Sequence, residues 1–244
     1  MTPQKVEYAG KDLEAMDFAL AYHTWILDLI RPFLGKRIVE VGAGTGSFSR
    51  LLLSTEPENL TLVEPSNMFE SLSLEYKDDE TTARVNLIHN LFSRVADQIK
   101  EKGPPDSIVY INVLEHIEDD LSELRCIYET LSPAGKVFLF VPALPVLFSK
   151  FDRHIGHFRR YRRSELKAKC EAAGFKTRKL IWFDLVGVLP WLLKFRIFGS
   201  MKVEPGAVQL YDRLAVPVIR PLEKLIPPPF GKNLLLIGEK TMGG

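Results

Sequence analysis

The stretch FDRHIGHFRRYRRSEL, residues 151–166, carries five arginines, two histidines and three aromatic rings in a chain whose net charge is only +1. Histidine titrates closest to neutrality, so His154 and His157 are proton-acceptor candidates, and Asp152 stands near enough to orient the ring of His157. Arginine pairs in a fixed fork with carboxylate or phosphate. Arg159 and Arg160 are therefore candidate holders of an anionic substrate group, with Tyr161 beside them, although both arginines also suit ion pairs inside a fold. Arg162 and Arg163 precede Ser164, a helix cap by residue type, and read as a solvated helix start. A further histidine, His116, lies in NVLEHIED (112–119). Asn112, Glu115 and His116 would make a poor divalent site without another carboxylate, so no metal is expected.

A second chemical signal is RIVEVGAGTGSF, residues 37–48. Gly42, Gly44 and Gly46, with Ala43 between the first two, follow an apolar run and precede a helical one. Glycine there lets the chain turn tightly and lets a ligand approach a helix start. Ser47 occupies the position where a dinucleotide fingerprint has Gly or Ala, which counts against a nicotinamide enzyme. Glu40 sits inside the strand, where a carboxylate is costly unless it meets a cation or a donor. A cofactor bearing an ammonium group would supply one. Glu64, followed by Pro65, closes the next strand, where an acid can accept two hydrogen bonds from a ribose diol.

The elements that must position these residues alternate. Helical spacing of Trp25, Ile26, Leu29 and Ile30 predicts a helix over 12–33. Short apolar runs predict strands at 37–41, 60–63, 85–89, 107–111, 136–141, 176–183 and 233–239. Ser66, Asp119 or Asp120, and Ser164 are expected helix starts. Strands separated by helices of this length imply βαβ units and a parallel sheet covered on both faces. Between the last two strands lies a long run rich in Pro, Trp, Leu and Arg, read as an amphipathic helical insertion over 184–230. A helical cover over 1–35 and an acceptor-side loop over 143–163 complete a single domain spanning 1–244.

Composition bounds the function. With 46% hydrophobic and 26% charged residues the chain is an ordinary globular one. The neutral balance and the lack of a second basic stripe argue against nucleic acid as partner. Cys126 and Cys170 lack metal-ligand spacing and read as inert thiols of a reducing compartment. The charged N-terminal stretch lacks a secretory h-region, and the uncharged run Leu185–Leu193 is too short to span a bilayer, so a cytoplasmic protein is expected.

In combination, the VEVGAGTG turn, the strand-end acid in LTLVEPS, SIVYINVLEHIEDD and LSPAGKVFLFVP resemble the class I S-adenosylmethionine-dependent methyltransferases over most of residues 20–180. The resemblance implies an α/β Rossmann-like sheet of order 3-2-1-4-5-7-6, its last strand antiparallel. It implies S-adenosylmethionine as cofactor, with Gly42, Ala43, Gly44 and Gly46 at the homocysteine part and Glu64 on the ribose. It also points to Asn90 and Leu91 near the adenine, and to Asn112 under the methionine moiety. Tyr22 is a candidate cofactor cover. The pattern D-x-x-x-G-H-x-R-R-Y, matched by Asp152, Gly156, His157, Arg159, Arg160 and Tyr161, is similar to a bacterial subgroup acting on glycans, lipids and secondary metabolites. There it implies an acceptor-side loop, with His157 or His116 as base. The expected acceptor is a small, partly apolar molecule offering a hydroxyl, amine or carboxyl group. Two other functions remain open at this point: a non-catalytic cofactor- or partner-binding protein of the same fold, and a nicotinamide-dependent oxidoreductase. The 184–230 insertion reads either as a lid over an apolar pocket or as a surface in peripheral contact with membrane.

Overall fold

The computed structural model describes residues 19–77 and 83–241. Five short apolar runs form parallel strands: β1 (Arg37–Val41), β2 (Asn59–Val63), β3 (Val85–Ile88), β4 (Ser107–Ile111) and β5 (Lys136–Pro142). The last two are β6 (Phe175–Phe183) and β7 (Asn233–Lys240). β7 inserts between β5 and β6, antiparallel to both, and the sheet order is β3-β2-β1-β4-β5-β7-β6. The order and the antiparallel last strand are those the sequence implied.

Side chains alternate between the two faces of each strand, so each run supplies two cores. Val39, Val41, Ile108, Tyr110, Val137 and Leu139 face α4 (Phe92–Lys102), α5 (Asp120–Thr130) and α7 (Arg163–Ala172). Ile38, Leu60, Leu62, Val109, Phe138 and Phe140 face α1 (Leu20–Ile30), α2 (Ser47–Leu53) and α3 (Phe69–Glu75). Burial on both sides is why these strands read as continuous apolar runs rather than alternating ones.

Helix starts depart from expectation in two places. Ser66 does not cap α3; its hydroxyl accepts from the Met68 amide one turn earlier, 3.2 Å away, and the helix opens at Phe69. Ser164 is already inside α7, whose cap position is Arg162. Asp119 does cap α5, accepting from the Ser122 amide at 3.0 Å. Of the helix expected over 12–33, residues 12–18 lie outside the described residues, and its last turn tightens over Arg31–Phe33 around Pro32.

The stretch after β5 is not all loop. Ser149 and Asp152 form a reciprocal capping box that starts α6 (Lys150–His154). After β6 the chain turns at Asp184 and forms α8 (Val188–Trp191), which continues in wider π-type turns over Leu192–Ile197. It then forms α9 (Pro205–Leu210), which runs through Tyr211–Ala215 into α10 (Val216–Leu225) before β7 begins. No helix among the described residues is long and apolar enough to cross a membrane.

Candidate active site

The carboxyl ends of β1, β2 and β4 meet at the glycine turn. Gly42 has φ +71°, and a Cβ there would lie 2.5 Å from Cγ2 of Val113, just past β4. No other residue fits that contact and that dihedral together. Gly44, at φ +58°, would present a Cβ to nothing nearer than the Met68 thioether at 3.8 Å, which leaves its open side to a ligand. Its amide donates to Oε2 of Glu64 at 2.8 Å, and Oε1 of the same carboxylate accepts from the Ser66 amide at 2.8 Å. Glu64 is thus fixed by backbone donors, with lone pairs left over for hydroxyl groups. Glu40 is buried on β1 and accepts from Ser49 Oγ at 2.5 Å; burial pushes its carboxyl up to about 8, against the pull of that hydrogen bond. Past β3, the Leu91 amide bonds the Asn90 side chain, and His89 stacks on Phe69 with centroids 4.5 Å apart. Glycine cradle, paired acids and flat stacked edge fit a nucleoside-sulfonium cofactor.

Next to this edge lies a cavity of about 270 Å³ at the ends of β4 and β5. Asn112, with φ +53°, opens its wall, and the tight turn Leu114–His116 follows. Glu115 is fully buried there, and neither of its side-chain oxygens has a hydrogen-bond partner among the described residues. Burial pushes this carboxyl up to about 8. His157 faces it across 3.7 Å from Nε2 to Oε1. Nδ1 of His157 lies 3.2 Å from Oδ1 of Asp152.

Asp152 braces this wall from behind. Its Oδ2 accepts from the amide and hydroxyl of Ser149, and Oδ1 accepts from Arg160 Nε at 2.7 Å. Burial works against ionisation of Asp152, yet the His157 hydrogen bond and the Arg160 charge hold its carboxyl below the usual range. An ionised carboxylate can only accept, so the hydrogen shared with His157 sits on Nδ1 and Nε2 is left with its lone pair. Burial lowers His157 below its ordinary value despite Asp152, so the ring is neutral at pH 7. His116 packs edge-on to it at 4.5 Å and is driven down to about 3 by burial and then by His157.

A family model described as a methyltransferase domain matches residues 18–180. The chain is a class I S-adenosylmethionine-dependent methyltransferase. Its cofactor is S-adenosylmethionine. No curated protein matches the chain in sequence. Among solved structures, the complex between a Haloferax volcanii methyltransferase and the Trm112 methyltransferase activator aligns with TM-score 0.63 and 16% identity, over 95% of this chain and 94% of the other. A SAM-dependent methyltransferase from Archaeoglobus fulgidus aligns with TM-score 0.59 and 18% identity, over 93% and 98%. The methyltransferase domain of bacterial CtHen1-C gives TM-score 0.61 and 15% identity, over 92% and 99%. At these identities the likeness is one of fold.

In this methyltransferase the sixteen-residue stretch divides sharply. His157 and Arg160 line the cavity with His116, Asn112 and Tyr22, and Asp152 bonds both from behind that wall. Arg160 is only 3% exposed, and its guanidinium stacks over Trp191 at 4.6 Å while bonding Asp152. It is committed within the fold, not held out as a free clamp. Arg159 and Tyr161 do not reach the cavity. Arg159 Nη1 pairs with Asp120 at 2.7 Å and Nη2 bonds the Glu118 carbonyl, while the Tyr161 hydroxyl donates to Asp120 at 2.8 Å. These two residues, expected to bind substrate, therefore lie outside this cavity. The buried Asp120 carboxylate, which also takes Lys169, claims both. Tyr161 and Arg162 instead border a separate open groove beside β6.

Several residues in or behind the cavity wall escaped the sequence reading. Asp184, at φ +64°, accepts from Lys232 at 2.8 Å, from the Gly187 amide at 2.9 Å and from the hydroxyls of Tyr22 and Tyr211. Tyr22 lines the cavity with its hydroxyl bonded to Asp184 and Asn233. Phe195 stacks on Phe151, Trp191 meets Phe151 edge-on, and both line the apolar side. The available signals were weak ones: an aspartate ending an apolar strand, and Ser-x-x-Asp before an aromatic loop. Cys170 is buried and Cys126 half-buried, and burial raises both thiols, that of Cys126 to about 11.

Proposed function

We propose that this methyltransferase acts on a small, partly apolar acceptor whose hydroxyl, amine or carboxyl group is placed between His157 and Glu115. The observation that carries the reading is the buried Asp152–His157 pair, which leaves Nε2 of His157 facing the cavity as a neutral base. S-adenosylmethionine supplies the electrophilic methyl group when bound. The chain's own residues hold it through Gly42–Gly46, Glu64 and Asn112. Asp152 fixes the imidazole tautomer, and Nε2 takes the acceptor's proton. Glu115, a buried acid whose oxygens have no hydrogen-bond partner among the described residues, is placed to hydrogen-bond the acceptor's reactive group. Phe140, Phe151, Trp191 and Phe195 give the acceptor an apolar seat and exclude water. That lining supports secondary metabolites and lipid- or glycan-linked intermediates with an apolar portion as the acceptor class.

One observation favours a second reading. Glu115, His116 and His157 bring ligand atoms within 4.8 Å of one another, the spacing of a divalent site. The test uses purified protein, labelled cofactor and a panel of apolar alcohols, amines and acids, with and without chelator. Methylation that survives chelation and is lost in His157→Gln supports the base. Methylation abolished by chelation supports the metal. S-adenosylhomocysteine binding without turnover of any acceptor supports a non-catalytic protein.

A further inference from the structure

The lid between β6 and β7 is apolar on its outside as well as its inside. Seventeen large hydrophobic residues are exposed among the described residues, and thirteen of them fall between Val186 and Phe230. They are not scattered. Leu189, Leu193 and Ile197 stand one helical turn apart along α8 and its extension, and Leu210, Leu214, Val218 and Leu222 do the same from α9 into α10. The opposite sides of these helices, including Trp191, Phe195, Val208 and Tyr211, line the cavity. A surface helix in water should turn a polar face outward. These turn out leucines.

Charge on this surface is one-sided. Arg196, Lys202, Arg213 and Lys224 are exposed and have no ion-pair partner among the described residues. Of the lid's acids, Asp184 and Asp212 are buried, Glu223 bonds the backbone amides of Asp184 and Leu185, and the exposed Glu204 is taken by Lys194. An apolar stripe flanked by unpaired cations matches an anionic bilayer better than a protein groove, because lipid tails accept the leucines while headgroup phosphates accept the cations.

We propose that the outer face of the lid docks on an anionic lipid surface, with the cavity lying directly beneath it. The docking does not depend on which acceptor the methyltransferase uses. The full chain is sedimented with vesicles of phosphatidylcholine alone and with vesicles containing phosphatidylglycerol. Co-sedimentation is expected with the anionic vesicles and should weaken as salt is raised. Arg213→Gln with Lys224→Gln should weaken it roughly thirtyfold, from the usual contribution of each basic residue near an anionic surface. Leu214→Asp with Val218→Asp should abolish it. S-adenosylhomocysteine binding and melting temperature are followed in each variant to establish that the fold is kept. The proposal is overturned if wild-type protein does not sediment with anionic vesicles, or if folded variants sediment like wild type. It is overturned equally if light scattering shows a dimer that the Leu214/Val218 substitutions dissociate, since a second copy would then cover this face.

Discussion

Oδ1 of Asp152 stands 3.2 Å from Nδ1 of His157, and the two residues are joined again through the backbone, His157 N–H donating to the Asp152 carbonyl at 2.8 Å. This double tie sets both the position of the ring and its tautomer. Asp152→Asn is expected to keep the fold's outline but to offer an amide where an acceptor is needed. Turnover should fall roughly 10²–10⁴-fold, the range seen when an orienting carboxylate is lost. Cofactor-product affinity, read by calorimetry, should barely change. An unchanged turnover number would remove Asp152 from the mechanism.

Because burial lowers His157 below its ordinary value, its base form predominates at neutral pH. The rate should therefore climb along an acid limb below the usual histidine range and be flat through pH 7. His157→Gln should lose that limb together with most of the rate. A limb that persists in the variant would assign it to another group.

Glu115 offers a stability test with a definite sign. Its folded-state value of about 8 stands above the ordinary 4.5, so the folded chain binds more protons than the unfolded chain across that window. Stability is fully retained below the lower value, declines as pH rises through the window, and levels off above about 8. Glu115→Gln removes this titration, so the variant's melting temperature relative to wild type should rise between about pH 5 and about pH 8.5. A pH-independent difference would contradict the burial of this acid.

Gly42→Ala brings a Cβ into a contact of 2.5 Å with Val113 and forces a left-handed dihedral on alanine. A cost of about 1–3 kcal/mol in stability is expected, together with loss of S-adenosylhomocysteine binding. Glu64→Gln replaces an acceptor of the Gly44 and Ser66 amides with a group that can serve only one of them well, and should weaken cofactor binding at least tenfold (about 1.4 kcal/mol). Normal binding in both would move the cofactor away from this edge.

Much of this protein was legible from local pattern. Apolar runs of strand length separated by helical ones dictate a parallel α/β sheet, because each strand must bury both faces. The glycine turn with Glu40 and Glu64 was readable for the same reason: positive φ, close approach and strand-end acids are requirements met within a few residues of chain. The histidine stretch was readable only as a set of possibilities. Arg159 and Arg160 are adjacent and identical in type, yet one pairs with Asp120 from α5 and the other with Asp152 and Trp191. Which carboxylate each meets depends on contacts far apart in sequence, and nothing local encodes that. The same holds for Glu115, whose unpartnered oxygens exist only because β4's turn and the Asp152–His157 segment close over it. The sequence by itself determined the elements and the glycine turn, since these follow from periodicity and backbone sterics, while the sheet order was implied by the family resemblance. Only the tertiary structure decided which polar side chains face the cavity and which are consumed within the fold, because ion pairing and burial are settled by neighbours that the chain brings together from distant positions.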